Sequence, residues 1–109
     1  MININDFGKL DLRIGTILKA ELLENAKTPA YVLEIDFGKL GIKKSSAKIT
    51  DIYQPGDLEG KQIVAVVNLS PKKIAGITSE VLVLGANRKD CVVVLLKPQK
   101  NIPNGARVG

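Results

Sequence analysis

Residues 30–61, AYVLEIDFGKLGIKKSSAKITDIYQPGDLEGK, decide the fold. Tyr31, Leu33, Ile35 and Phe37 fall on one side of an extended chain, with Ala30, Val32, Glu34 and Asp36 on the other, the period-two pattern of a half-buried strand. Gly38 ends that run and KLGIKKSSAKI follows at once, so strands two and three are predicted to form a hairpin. TDIYQPGDLEGK holds the only plausible interior helix, with Pro55-Gly56 closing it.

Outward from this stretch the pattern stays β-rich. DLRIGTILKAELLE places Leu12, Ile14, Thr16, Leu18 and Ala20 on one face, and Gly15 reads as a bulge or a tight barrel bend. NAKTP is the first turn. After the helical insert, KQIVAVVNL, SEVLVLGA and DCVVVLLKP are apolar enough to be buried on both faces or nearly so. The tail QKNIPNGARVG is turn-rich and reads as an ordered wrap or a dimer contact. Five or more uneven strands, with one short helix after the third, predict an all-β OB-fold: a five-stranded Greek-key barrel with short terminal extensions. The 109 residues show no repeat or linker and are read as one domain spanning 1–109.

Composition narrows the function classes. Apolar residues are 45% and charged residues 25%, which places the chain among globular proteins rather than disordered ones. No apolar run is long enough to span a membrane and the N-terminus lacks the pattern of a signal peptide, so a cytoplasmic protein is expected. The net charge of +5 is uneven: residues 1–39 are about neutral, and residues 40–109 carry the whole excess. Such a surface invites an anionic partner, nucleic acid first, or merely keeps a basic protein soluble.

Catalysis is not expected. The chain has no His, its lone Cys91 reads as a small buried hydrophobe, and no Asp/Glu cluster has ligand-like spacing. Nor is there a Gly-rich phosphate loop, so neither cofactor nor metal is expected. The polar constellation that remains is a binding face. It comprises Ile42, Lys43, Lys44, Ser45, Ser46 and Lys48 of IKKSSAKIT, Asn68, Lys72 and Lys73 of NLSPKK, and Ser79 opening the next run. On an OB barrel strand three and the loop joining strands four and five border one surface. Lysines, hydroxyls and an amide there suit phosphate contacts. Stacking platforms are scarce, however, because Tyr31 and Phe37 face the core and only Tyr53 is read as partly exposed. The face could equally take an extended peptide against Ile42, Ala47, Leu69 and Ile74, or be no more than a solvated barrel rim.

DLRIGTILKAELLENA, VLEIDFG, PGDLEGKQIVAVVNLSPKKIAGITSEVLVLG and IPNGARVG together resemble the tRNA-binding-domain family over essentially the whole chain. The resemblance implies an OB-fold homodimer. For the secretion-chaperone branch it implies binding of unfolded preproteins or peptides and of the SecA translocation motor; for the tRNA-binding branch, recognition of tRNA. Members of the latter typically carry Ser-x-Gly-Met-Leu where this chain has Ser79, Glu80, Val81, Leu82 and Val83, and a hydrophobic-Ser-Gly run in place of KKSSAKI. Both departures match the chaperone branch better.

Overall fold

The computed structural model describes all of residues 1–109. A short helix α1 (Ile4–Phe7) precedes strands β1 (Leu12–Leu22), β2 (Tyr31–Asp36) and β3 (Ile42–Ala47). Helix α2 (Pro55–Leu58) follows, then β4 (Gln62–Val66), β5 (Lys72–Ile74), β6 (Ile77–Ser79), β7 (Leu82–Val83), β8 (Gly85–Asn87), β9 (Val93–Leu95) and β10 (Arg107–Val108). The main antiparallel sheet runs β3-β2-β1-β4-β7, with β10 also on β1, and curls into a nearly closed five-strand barrel of OB type. The pairs β5-β6 and β8-β9 form separate hairpins.

β1 is long enough to serve both halves of the barrel. Its first half pairs with β4, from Leu12 opposite Val66 to Thr16 opposite Gln62, and its second half pairs with β2. The changeover lies at Thr16, which pairs with both, directly after Gly15. A Cβ on Gly15 would sit 2.6 Å from the Ile35 side chain and 2.7 Å from the Phe37 ring, so the strand passes over the core only because that residue has no side chain. The ladder to β2 then slips between Ile17 and Lys19. As a result Leu12, Ile14, Gly15, Ile17 and Ala20 are buried, while Leu18 is exposed and Thr16 half-buried. Uniform alternation through Leu18 is therefore corrected: the bend and the bulge each shift the phase of burial.

The hairpin of β2 and β3 forms as expected, with Tyr31 opposite Ala47 and Asp36 opposite Ile42. Tyr31, Leu33, Ile35 and Phe37 all point into the core, where Leu33, Ile35 and Phe37 are fully buried. Pro55 opens α2 rather than closing it. Its fixed φ suits the first helical position, where no N–H is needed. Leu58 plugs the barrel end, and Ile17 exchanges backbone bonds with the chain after the helix: Gly60 N–H donates to the Ile17 carbonyl (2.8 Å) and Ile17 N–H to that of Lys61 (2.9 Å).

The C-terminal apolar runs are less buried than their composition implies. Leu82 is exposed, and Val93, Val94 and Leu95 are only half-buried on a hairpin outside the main sheet. Cys91 is exposed in the turn of that hairpin, at φ 65°, and not in the core. Asp90 shapes this turn, pairing with Arg88 and accepting from Val92 N–H. The folded protein should therefore react with an aromatic disulfide reagent without denaturant; labelling that appears only on unfolding would contradict the exposed turn. The tail is an ordered wrap: Gly105 N–H donates to the Ile14 carbonyl (2.7 Å) and Thr16 Oγ1 to Asn104 Oδ1 (2.7 Å).

Candidate ligand-binding groove

Residues 70–79 do not form a plain loop. Lys72, Lys73 and Ile74 pair with Ser79, Thr78 and Ile77 across a two-residue turn, Ala75-Gly76, in which both residues have positive φ. That combination is the tight hairpin turn whose twist matches its strands. The hairpin leans over β3 and forms one wall of a groove.

The barrel seam beneath it is sealed largely by side chains. Glu80 N–H donates to the Lys44 carbonyl (2.8 Å), and Lys44 N–H donates to Glu80 Oε1 (3.1 Å). Ser46 N–H donates to Ser79 Oγ (3.0 Å), while Ser45 Oγ, fully buried, donates to the Val81 carbonyl (3.0 Å). Ser79 and Glu80 thus stand in for ladder partners that β3 would otherwise lack. Glu80→Ala, which leaves the Lys44 N–H without its acceptor, should cost about 1 kcal/mol of stability. Chemical denaturation of this variant checks that, and an unchanged midpoint would show that water replaces the carboxylate at no loss.

One half of the groove, about 400 Å³, is lined by residues that include Ser46, Leu69, Lys72, Ile74, Ser79 and Leu82. The other half, about 460 Å³, lies against the β1-β2 loop and is lined by residues including Ala26, Lys27, Thr28, Lys48 and Ala75. Ser46 and Ile74 line both halves, so the two adjoin at these residues along the β3 face.

The residues singled out from sequence separate accordingly. Ser46, Lys48, Lys72 and Ser79 line the channel, as do Leu69 and Ile74. Lys44 and Lys73 are exposed and Lys43 is half-buried, on the strands that border it but not among its lining. Ile42 is exposed at the far end of β3, and Ala47 packs against the core. Ser45 is turned inward. Asn68 is engaged by the N-terminal segment: its Oδ1 accepts from Asp11 N–H (2.9 Å) and its Nδ2 donates to the Lys9 carbonyl (2.8 Å). Sequence reasoning missed the β1-β2 loop and Leu82. The loop looked only like a turn, and Leu82 sat in a run that read as wholly buried.

Aromatic platforms are absent from the lining. Tyr31 donates from its hydroxyl to the Tyr53 carbonyl (2.7 Å), and the Tyr53 hydroxyl in turn accepts from Leu95 N–H (3.0 Å). Away from the groove, the hydrogen bond that the exposed Lys19 donates to Glu21, and then the charge of Glu21, hold Lys19 above its usual pKa. The hydrogen bond between Arg88 and Asp90 raises the former and lowers the latter.

The family model described as "Putative tRNA binding domain" matches residues 12–107, from the start of β1 to the start of β10. The chain belongs to the tRNA-binding-domain family. Among solved structures, the chaperone CsaA from Bacillus anthracis str. Ames is 56% identical, with a TM-score of 0.95 over 100% of this chain and 99% of that one. The CsaA chaperone protein from Picrophilus torridus is 47% identical, with a TM-score of 0.93 over 100% of both chains. The methionine–tRNA ligase of Archaeoglobus fulgidus is 41% identical over 107 residues, 98% of this chain but only 16% of the ligase. Similarity to the ligase is therefore similarity to one of its domains. No helix is long and apolar enough to cross a membrane.

Proposed function

We propose that this tRNA-binding-domain protein is a CsaA-like chaperone that holds extended segments of unfolded export preproteins in the β3 groove and works in the cytoplasm as a homodimer. The observation that carries the reading is the groove itself: its lining includes Leu69, Ile74, Val81 and Leu82 and no aromatic ring to stack a base. Aliphatic residues in such a lining reward apolar side chains leaving water. Full-length similarity to two CsaA chaperones supports the same reading. Exposed Ile2 and Ile4 on and beside α1 supply apolar surface for a second copy, and the SecA translocation motor is the partner that this reading entails. Labelled preprotein segments should raise fluorescence anisotropy on titration, and the folded form of the same preprotein should not compete. Competition by the folded form would remove the chaperone reading. Light scattering should give twice the chain mass, and a monomer would remove the paired grooves. Capture of SecA by the immobilised protein tests the partner.

The family match favours a second reading, tRNA binding through Lys43, Lys44, Lys48, Lys72, Lys73, Arg88 and Lys89. Of these, Arg88 is already paired with Asp90. Binding that neutralises several phosphates should weaken steeply and linearly on a log–log plot against salt. A gel shift without a tRNA complex at low salt ends this reading, and tRNA displacing a bound peptide would put both ligands on one surface.

A further inference from the structure

The channel carries an unbalanced charge. Lys72 stands in one half and Lys27 and Lys48 in the other, all three exposed. The ion pairs of the chain are Lys9–Asp6, Arg13–Asp11, Lys19–Glu21 and Arg88–Asp90, and none involves a channel lysine. Glu80, the only carboxylate in the lining, has Oε1 occupied by Lys44 N–H. Beside these cations the lining carries Leu69, Ile74, Val81 and Leu82 in one half and Ala26, Ala30, Ile74 and Ala75 in the other, interspersed with serines.

We propose that the groove selects extended segments in which aliphatic side chains alternate with Asp or Glu, and that Lys27, Lys48 and Lys72 determine this specificity. The inference rests on the peptide reading and names its substrate class. In an extended chain successive side chains point to opposite sides, with like-facing ones about 6–7 Å apart. One set can therefore meet the apolar lining residues while the other reaches the lysines. Acidic groups meet cations that have no competing partner, whereas a basic segment brings like charge to both halves of the channel. An RNA strand would satisfy the lysines but lay its bases against aliphatic residues without stacking partners.

The experiment is anisotropy with one aliphatic peptide in three versions, its alternate positions filled by Glu, Gln or Lys, with a single-stranded RNA oligomer as a fourth ligand. At low salt the Glu version should bind about tenfold more tightly than the Gln version, and the Lys version most weakly. High salt should compress the series, and the double variant Lys48→Gln/Lys72→Gln should bring the Glu and Gln versions to within about twofold of each other. Equal binding of all three, or preference for the Lys version, overturns the proposal and leaves peptide binding standing. Binding of the RNA with none of the peptides overturns both.

Discussion

Gly15→Ala should destabilise the protein by about 3 kcal/mol, because the new methyl has nowhere to go. It would lie 2.6–2.8 Å from Ile35 and Phe37, whose side chains are both fully buried. A dense interior answers such a contact with off-rotamer side chains or a shifted strand. Phe37→Ala, which empties the centre of the same cluster, should cost about 4 kcal/mol. The two should not add. Shortening Phe37 frees space for the Gly15 methyl, so the double variant should be more stable than the sum of the singles implies by about 1 kcal/mol or more. Urea denaturation of the four proteins, with slopes compared to verify two-state behaviour, measures the cycle. A Gly15→Ala variant within about 0.5 kcal/mol of the parent would mean that β1 can lift off the core without loss.

The second large effect concerns binding. Ile74 lines both halves of the channel and is 37% exposed, so it contributes little to the core. Ile74→Ser should lower affinity for preprotein segments by at least about tenfold, the loss expected when an aliphatic contact of roughly 1.5 kcal/mol or more is removed. Stability should change by no more than about 0.5 kcal/mol. Ile74→Val, which keeps a branched apolar side chain on β5, should restore most of the affinity. Full affinity in Ile74→Ser, with the variant folded by circular dichroism, would place the peptide elsewhere.

Some elements of the barrel were legible because their burial is regular. The β2 alternation from Tyr31 to Phe37 named four core residues, and the hairpin to β3 followed from Gly38 and the next β-rich run. β1 was misread at Thr16 and Leu18. Ile17 is buried opposite Ile35 before the ladder to β2 slips, and the slip then leaves Leu18 out and brings Ala20 inward opposite Leu33, neither of which local alternation registers. The C-terminal runs were read as buried from composition, which cannot register that β8 and β9 pair with each other outside the main sheet. Cys91 went astray for that reason.

The groove divides along the same line. Residue types and the NLSPKK signature pointed, from sequence alone, to the family and to Ser46, Lys48, Lys72 and Ser79, which line the groove. Only the tertiary structure turned Ser45 inward, engaged Asn68 with the N-terminal segment, and brought Lys27 and Leu82 to the channel. Each of those outcomes rests on a contact between segments far apart in the chain, such as Ser45 with Val81 or Asn68 with Lys9. Local periodicity reports which residues want to leave water. Which of two polar side chains is consumed in closing the barrel, and which is left lining the groove, is settled where the ends of the sheet come together.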